Sequence, residues 1–315
     1  MNLKNRILIT GGAGYIGSKL STRLVELGFS VTVIDILKYN KNSLSHLLSH
    51  KNFNFIYADT RNKLILNDQI KKNDIIVPLA ALVGAPLCDK FPQMAKELNL
   101  KIISHILSKL SKRQLIIYPN TNSGYGVGKK NSYCTEQSDL NPVSLYGKTK
   151  VEAEKIILKH KNSIVFRLAT VFGYSYRMRT DLLVNFLVHK AVTKKKLDIF
   201  QPHFRRNYIH VSDVVNAFIF SIKNYKIMRG NIYNVGLSDA NLTKIQLAKK
   251  IQKICTNVKI KISKNKKDPD KRDYYVSNKK IEKLGFKPKT NLDDGIKELN
   301  NLFLINNFEK NKNNY

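Results

Sequence analysis

The sequence is poor in acidic side chains. It has 23 Asp and Glu residues against 55 Lys and Arg, which gives a formal net charge of +32. Such a charge attracts nucleic acids, but the lysines are scattered singly or in short runs, and no nucleic-acid-binding module is present in the sequence. We therefore interpret the charge as a lysine-rich surface that also attracts small anionic substrates, and we expect no nucleic-acid partner.

Cysteine and long apolar runs are also scarce. Three widely spaced cysteines, Cys88, Cys134 and Cys255, fit neither a zinc site nor a disulfide framework, so we expect reduced thiols and no metal. The longest mostly apolar run, residues 75–88, is too short and too rich in Pro and Gly to span a bilayer. The first residues lead directly into a strand without an apolar signal segment. These absences predict a cytoplasmic protein without membrane contact.

What is present is an alternation of short apolar strands and amphipathic helices. Through residue 172 this alternation predicts an α/β fold with a Rossmann-type, doubly wound parallel sheet. We place an NAD-binding domain at residues 1–172, with 207–225 packing back on it. Residues 173–206 and 226–315, where the alternation lapses, are expected to form a smaller α/β lobe that binds the substrate.

The stretch ITGGAGYIGS lies between the first strand and the first helix. Gly12, Gly14 and Gly17 satisfy the G-x-G-x-x-G pattern, in which backbone N–H groups approach a pyrophosphate at a helix N-terminus. Asp35 ends the next strand, where an acid accepts hydrogen bonds from ribose hydroxyls and repels a 2′-phosphate. No Arg stands beside Asp35 in the sequence, so NAD is favoured over NADP. Asp59, at the end of the following strand, either contacts the adenine or caps a helix.

Tyr146 and Lys150 are four residues apart at the start of a helix and therefore lie on one face of it. A lysine ammonium near a phenol favours the phenolate, which makes Tyr146 a candidate base for a substrate hydroxyl. Behind a glycine-rich loop and downstream of a strand that ends in Thr121, this pair indicates an alcohol-oxidising site.

Taken in order, these motifs resemble the extended short-chain dehydrogenase/reductases of the nucleotide-sugar epimerase/dehydratase type. The resemblance is carried by TGGAGYIG, PLAA (78–81), Asn99, TNSGYG (121–126), YGKTK, RNYIHVSD and LGFKP (284–288). It implies that Thr121 hydrogen-bonds the reacting sugar hydroxyl, that Tyr146 is the base, and that Lys150 binds the nicotinamide ribose. It also implies that Asn99 supports the site. The expected cofactor contacts are Gly11, Gly14, Tyr15, Ile16, Gly17, Asp35, Asp59, Leu79, Ala80, Ala81, Asn99, Tyr146 and Lys150.

For the nucleotide sugar, the resemblance implies that Arg206 and Arg272 grip the diphosphate, with Asn185 near it. We also expect Thr121, Asn122 and Ser123 to contact the sugar. Three further arginines, Arg177, Arg179 and Arg205, are candidates without a clear position in the family pattern.

The residues after Thr121 bear on the reaction. Dehydratases of this type carry carboxylates there, and here Asn122 and Ser123 cannot transfer protons as carboxylates do. Dehydration is therefore disfavoured, which leaves an epimerase or a dehydrogenase. Several stretches, among them YPNTNSGYG and DPDKRDYYVSN, resemble the branch of the family that oxidises GDP-D-glycero-α-D-manno-heptose at carbon 4 for capsular polysaccharide synthesis. A nucleotide-sugar 4-epimerase is the alternative.

Two further expectations concern the whole molecule. A non-catalytic NAD or nucleic-acid binder would tolerate the loss of Thr121, Tyr146 or Lys150, and all three are present, which argues against this class. The family resemblance also implies a homodimer, formed through the helices at 91–111 and 144–160.

Overall fold

The computed structural model describes residues 5–129, 132–263 and 272–305. Its largest element is a seven-stranded, fully parallel sheet with the order β11-β7-β5-β4-β1-β2-β3. The strands of the described ranges are β1 (Arg6–Thr10), β2 (Ser30–Asp35), β3 (Phe53–Tyr57), β4 (Ile75–Pro78), β5 (Leu115–Thr121), β6 (Tyr133–Cys134), β7 (Ser163–Leu168), β8 (Thr170–Phe172), β9 (Lys196–Phe200), β10 (Arg205–His210), β11 (Asn231–Val235), β12 (Asn241–Thr243), β13 (Lys259–Ser263) and β14 (Tyr275–Val276).

Helices cover both faces of this sheet. The α-helices are α1 (Tyr15–Glu26), α2 (Lys63–Lys72), α3 (Ala85–Lys90), α4 (Pro92–Lys96), α5 (Ile102–Lys109), α6 (Leu145–Ile157), α7 (Leu183–Lys194), α8 (Val211–Lys223), α9 (Tyr225–Met228), α10 (Lys244–Ile254), α11 (Lys279–Glu282) and α12 (Leu292–Ile305). A π-helical segment, Glu97–Lys101, joins α4 to α5.

The alternation of side chains along each strand explains the two cores. Ile7 and Ile9 of β1 pack with α1 and α8 on one face, whereas Leu8 packs with α2, α5 and α6 on the other. Because successive side chains of a strand point to opposite faces, a continuous apolar run supplies both cores. The doubly wound parallel sheet predicted from the sequence is confirmed. Its winding reverses between β1 and β4, and in such folds ligands bind outside the carboxyl ends of the strands at that point.

The smaller lobe has its own apolar core. Helices α7, α10 and α12 pack around Leu187, Leu247, Ile251 and Leu299, and β9 pairs in parallel with β13. A three-stranded sheet, β12-β10-β8, lies beside it. Since β8 follows directly after β7, this sheet carries the chain from the large sheet into the lobe.

The domain boundary drawn from the sequence differs from the structure at β11 and at the residues around α11. The lapse of the strand–helix alternation assigns residues 226–315 to the smaller lobe, but β11 pairs with β7 at the edge of the large sheet. Tyr233 and Val235 pack into the core under that sheet, as do Ile281 and Phe286. β11 thus pairs the backbone groups of the β7 edge, which would otherwise be exposed, while Ile281 and Phe286 pack on the sheet. Residues 264–271 and 306–315 of the expected lobe lie outside the described ranges.

Two further features concern the cysteines and the apolar length of the helices. Cys88, Cys134 and Cys255 are buried, free thiols. Within the described ranges, no helix is both long and apolar enough to cross a membrane.

Candidate active site

A cavity of about 630 Å³ lies at the carboxyl ends of the large sheet, between the sheet and the smaller lobe. The sheet side is formed by the glycine-rich loop, by the residues that end or follow β2, β3, β4 and β5, and by the first turns of α6. The lobe side is formed by residues that follow β8 and by side chains from β10 and α10. The cavity therefore lies where doubly wound folds bind their ligands, and its volume suits a small-molecule site.

The glycine-rich loop comes so close to its neighbours that side chains are excluded. A Cβ on Gly11, whose φ is +73°, would lie 2.5 Å from the backbone nitrogen of Ala80. A Cβ on Gly17 would lie 2.4 Å from the carbonyl oxygen of Gly11. The loop ends where α1 begins, so a helix N-terminus lies at the cavity, and such ends bind phosphate groups. The loop residues that line the cavity include Gly11, Gly14, Tyr15, Ile16 and Gly17.

Asp35, the last residue of β2, is held on the cavity wall by backbone N–H groups. Its carboxylate accepts hydrogen bonds from the N–H of Ala13 at 3.0 Å and of Leu37 at 2.8 Å. Burial raises the pKa of Asp35, and these N–H groups oppose the rise. Each oxygen keeps a second lone pair, which suits it to accept from the two hydroxyls of a ribose.

Asp59 also lines the cavity, and Arg61 holds its carboxylate. Arg61 Nη2 lies 2.7 Å from Asp59 Oδ2, and this pairing lowers the pKa of Asp59. The cap of α2 is Asn62, whose side-chain oxygen accepts from the N–H of Ile65 at 3.3 Å. The helix-cap interpretation of Asp59 is therefore wrong, and its contact with adenine stays a prediction.

The residues that follow β4 close the cavity beside the glycine-rich loop. Leu79, Ala80 and Ala81 all line it. The N–H of Leu79 donates to the carbonyl of Thr10 at 2.8 Å, which keeps the ends of β1 and β4 together. The close approach of Ala80 to Gly11 follows from this pairing.

The three residues predicted to act on the sugar line one cavity. Thr121 ends β5, and α6 begins after Ser144, whose hydroxyl accepts from the N–H of Gly147 at 3.2 Å. Tyr146 therefore lies in the first turn of α6 and Lys150 one turn later, both on the cavity wall with Thr121. The end of β5 and the start of α6 thus bring Thr121 and Lys150, which are 29 positions apart in the chain, into one site.

Lys150 is deeply buried for a lysine. Only 4% of the residue is exposed, and its Nζ lies 3.9 Å from the centroid of the Tyr118 ring. Burial lowers the pKa of Lys150 to about 7, while Glu154, one turn further along α6, acts in the opposite direction. A cation over an aromatic face is stabilised by the ring, but less than by water. At neutral pH the protonation of Lys150 is therefore sensitive to charged groups that bind in the cavity.

A buried network that the sequence did not reveal fixes α6 to the sheet. Arg167 of β7 donates to both carboxylate oxygens of Glu154, at 2.6 Å and 3.1 Å, and Asn120 of β5 also donates to Glu154. Arg167 further donates to the Tyr125 hydroxyl at 3.0 Å, and that hydroxyl donates to Asn234 of β11 at 2.7 Å. The only local indication was the spacing of Glu154 four residues beyond Lys150.

Asn99 is placed beside the site and not on the cavity wall. Its side chain accepts from the N–H of Leu82 at 2.8 Å and donates to the carbonyl of Leu82 at 2.9 Å. It also donates to the Thr149 hydroxyl at 3.3 Å. Asn99 belongs to the π-helical segment and joins the chain after β4 to α6 between Tyr146 and Lys150. The structure thus gives it a positioning contact that fits the expected supporting role, and its direct contact with the cofactor stays a prediction.

Ser123 and Asn122 differ in position although they are neighbours. Ser123 lines the cavity, its hydroxyl lies 2.9 Å from Thr121 Oγ1, and its N–H donates to the same oxygen at 3.1 Å. Asn122 is only 1% exposed and is absent from the cavity wall. Neither atom of its side-chain amide finds a hydrogen-bond partner within the described ranges. The expected sugar contact of Asn122 is thus not supported, because the turn after β5 directs Asn122 into the interior.

Two arginines from the smaller lobe reach the cavity. Arg272 donates to the Ser123 hydroxyl, and Arg206 donates to the carbonyl of Arg272, so the two guanidinium groups lie close to the Thr121 end. Arg205 instead forms a two-bonded ion pair with Asp273, at 2.7 Å and 2.9 Å, and is not part of the cavity wall.

Asn185 is fully buried in α7 and is also absent from the cavity wall. Its side-chain oxygen accepts from the N–H of Gly173 at 2.9 Å, and its amide donates to the carbonyl of Arg179 at 2.8 Å. These contacts tie Asn185 to the chain that carries Arg179, and its place near the substrate diphosphate stays a prediction. Arg177 and Arg179 themselves line the cavity.

Comparison with known protein families gives a match over most of the chain. The model of the NAD dependent epimerase/dehydratase family matches residues 7–236. The chain belongs to this family. Membership makes NAD the cofactor, and the bare glycine-rich loop and the Asp35 carboxylate fit the diphosphate and ribose of NAD. When bound, NAD supplies an acceptor for hydride.

Relatives in this family act on several nucleotide sugars. The chain is 27% identical to the CDP-paratose 2-epimerase of Salmonella typhi, over 93% of this chain and 98% of that protein. It is also 27% identical to the UDP-glucose 4-epimerase of Lactobacillus helveticus, over 92% of this chain and 94% of that protein. A dTDP-D-glucose 4,6-dehydratase of Dictyostelium discoideum is 29% identical over 78% of this chain, which spans 61% of that longer protein.

Solved structures of the epimerase/dehydratase family have the same fold. A UDP-glucuronic acid 4-epimerase from Bacillus cereus, in complex with UDP-glucuronic acid and NAD, superposes with a TM-score of 0.83 at 24% identity, covering 95% of this chain and 99% of that one. A dTDP-glucose 4,6-dehydratase from Bacillus anthracis in complex with NAD gives 0.82 at 24% identity, covering 96% and 97%. At this level of identity the likeness establishes the fold.

Among the described residues, no group of three or more His, Cys, Asp or Glu side chains is placed to hold a metal ion.

Proposed function

We propose that this protein oxidises the carbon-4 hydroxyl of a nucleotide-diphosphate sugar to a ketone, with NAD as the acceptor. The substrate we favour is a GDP-linked heptose used in bacterial capsular polysaccharide synthesis. The observation that carries the proposal is that Thr121, Tyr146 and Lys150 line the same cavity as the glycine-rich loop and Asp35. The carboxylates on that cavity wall are already bound by other groups of the protein.

The engagement of those carboxylates argues against dehydration. Among the described residues that line the cavity, the acidic ones are Asp35, Asp59 and Asp181. Asp35 accepts from backbone N–H groups, Asp59 is held by Arg61, and Asp181 is held by Arg179. Elimination of water needs an acid and a base close to the sugar. Beside Thr121 the chain offers Ser123, which does neither near neutral pH.

The chain's own residues would divide the work of oxidation in a simple way. Thr121 orients the sugar hydroxyl by a hydrogen bond, and Tyr146 Oη takes its proton. Lys150, one turn along α6, favours the deprotonated phenol through its positive charge. The Glu154–Arg167 pair keeps α6 in place, which fixes both side chains relative to Thr121.

The diphosphate of the substrate is assigned to Arg206 and Arg272. Both line the cavity from the smaller lobe, and guanidinium groups suit the planar, two-bonded recognition of phosphate. Preference for a GDP-linked heptose is supported by the likeness of YPNTNSGYG and DPDKRDYYVSN to the heptose-oxidising branch. Residues 268–271 of the second stretch lie outside the described ranges.

A 4-epimerase is the second candidate, favoured by the 27% identity to a UDP-glucose 4-epimerase over nearly the whole chain. It uses the same residues for oxidation but needs room for the keto sugar to rotate before it is reduced again. The two candidates differ in the fate of the product and not in the proton transfer by Tyr146.

Product analysis separates these reactions. The NAD-loaded protein is incubated with GDP-, UDP-, CDP- and dTDP-linked sugars, with 2-oxo acids present as candidate re-oxidants, and the products are examined by mass spectrometry. A product that has lost two hydrogens supports the dehydrogenase. An isomer of unchanged mass indicates the epimerase, and loss of water contradicts the proposal. Tyr146→Phe serves as the matched control for each active substrate.

We further propose a cytoplasmic homodimer that associates through α4, α5 and α6. Sedimentation velocity tests the assembly. A species of twice the 36.1 kDa chain mass supports it, and a monomer at micromolar concentration contradicts it.

A further inference from the structure

The chain between β8 and α7, here called the 173–181 segment, leaves the smaller lobe and packs on the NAD-binding domain. Ser175 Oγ donates to the carbonyl of Tyr15 at 2.6 Å and lies 3.1 Å from Ser18 Oγ. The N–H of Arg177 donates to Ser18 Oγ at 3.4 Å. Both Tyr15 and Ser18 belong to the first turn of α1, directly after the glycine-rich loop.

The segment is held at further points. The Tyr176 ring stacks on the His46 ring with centroids 4.3 Å apart, and Asn40 donates to the Tyr176 carbonyl at 3.3 Å. Asn185 binds Gly173 and Arg179, one at each end of the segment. The 173–181 segment is therefore held along its length and connects the smaller lobe to the loop after β2.

This arrangement places Arg177 at the Asp35 end of the cavity. Arg177 lines the cavity, is 3% exposed, and its guanidinium carbon lies 4.4 Å from the centroid of the Tyr39 ring. Burial lowers the pKa of Arg177 to about 10, and the neighbouring charge of Arg179 adds to the effect. Arg179 is bound to Asp181 through its own two hydrogen bonds. Burial removes water from the charged guanidinium, so an anionic ligand bound in the cavity would stabilise its charge.

The position along the sheet identifies which ligand this is. Asp35 ends β2 and Thr121 ends β5, and the sheet order puts three strand spacings, about 14 Å, between them. Arg177 lies over Tyr39 and next to Tyr176, which is bonded to Asn40, so it is at the β2 end of the cavity and far from the sugar-oxidising end. The anionic group expected at this end is the diphosphate of the dinucleotide, which also lies against the glycine-rich loop.

We propose that Arg177 binds the diphosphate of NAD from the smaller lobe, so that the 173–181 segment retains the cofactor between turnovers. The sequence could not indicate this, because Arg177 follows Asp35 by 142 positions. The proposal depends on the NAD-dependence of the family and not on the sugar oxidation proposed above.

The test measures NAD affinity in the absence of any sugar. Cofactor-stripped wild type, Arg177→Met, Arg177→Lys and Arg23→Met are titrated with NAD and with ADP-ribose by calorimetry. Arg23 lies on the exposed face of α1 and pairs with Glu26, so Arg23→Met removes the same charge without touching the cavity. Loss of a charge-assisted hydrogen bond to phosphate should weaken both ligands about 10- to 100-fold in Arg177→Met. Arg177→Lys should lose less, and Arg23→Met less than about twofold.

Several results would overturn the proposal. One is an NAD affinity of Arg177→Met within twofold of wild type; another is an equal loss in Arg23→Met. A third arm uses NADP, because an arginine near Asp35 could instead read a 2′-phosphate. Wild type that binds NADP as tightly as NAD, with only NADP affected in Arg177→Met, contradicts the assignment. If Arg177→Met does not fold, Arg177→Lys decides: a loss of several-fold supports the proposal, and wild-type affinity contradicts it.

Discussion

The carboxylate of Glu154 and the guanidinium of Arg167 form a two-bonded ion pair that is almost completely buried, at 3% and 4% side-chain exposure. The pair joins α6 to β7 one helical turn beyond Lys150. Because Asn120 and Tyr125 also bond to it, the pair connects the strand that ends in Thr121 to the helix that carries Tyr146. The relative position of the reacting side chains thus depends on a contact that lies outside the cavity.

Removing one partner of this pair should cost much stability. Arg167→Met leaves the Glu154 charge buried without its guanidinium, and breaking such a pair typically lowers the free energy of unfolding by about 3–5 kcal/mol. Urea denaturation measures the loss. The matched control is Arg23→Met, which breaks the exposed Arg23–Glu26 pair and should cost less than about 1 kcal/mol. Equal effects in the two variants would contradict the role given to the buried pair.

Burial of Lys150 makes stability depend on pH. In the NAD-free protein the pKa of Lys150 is lowered from 10.5 to about 7. Between these values the unfolded chain holds a proton that the folded chain lacks, so the free energy of unfolding rises with pH. We expect a rise of up to about 1.4 kcal/mol per pH unit between about pH 7 and pH 10.5.

The same measurement on Lys150→Met provides the comparison. This variant lacks the titrating group, so the rise should disappear from its denaturation curves over the same pH range. Identical pH dependence in the two proteins would show that Lys150 keeps its ordinary pKa in the fold.

Asn122 offers a test of where the turn after β5 directs its side chain. An amide buried without partners costs about 1–3 kcal/mol, so the apolar, similarly sized Asn122→Leu should be neutral or stabilising in thermal unfolding. It should also leave KM for the sugar unchanged. Ser123→Ala, which removes a hydroxyl on the cavity wall, should raise KM in the same assay. A raised KM in Asn122→Leu would return Asn122 to the substrate site.

Tyr146→Phe tests the assigned base. Loss of a positioned general base should lower kcat at least about a hundredfold. Affinity for NAD, measured by calorimetry, should change little, since the glycine-rich loop and Asp35 are untouched. Turnover near that of wild type would remove Tyr146 from the reaction.

Much of the NAD-binding half could be predicted because its features are local. The order of strands and helices follows from the alternation of apolar runs, and the cavity-lining positions of Gly11, Asp35 and Tyr146 follow from strand ends and helix starts. Thr121, Ser123, Arg206 and Arg272 were also expected near a ligand, and all of them line the cavity.

The features that could not be predicted depend on contacts between distant parts of the chain. β11 joins the large sheet through its pairing with β7, more than sixty positions earlier, and its short sequence carries no mark of that partner. Asn122 and Ser123 are adjacent, yet the turn after β5 buries one and exposes the other to the cavity. Arg177 lies over Tyr39, in the loop after β2, only because the 173–181 segment crosses from one lobe to the other.

The most direct test of the central claim uses a nucleotide sugar that carries deuterium at carbon 4. The NAD-loaded protein is given this substrate, and sugar and cofactor are both analysed by mass spectrometry. Oxidation at carbon 4 without elimination predicts a keto sugar that has lost the deuterium and a reduced nicotinamide that has gained it. A sugar that has lost water, or an unlabelled cofactor beside an unchanged sugar for every nucleotide tried, would contradict the account.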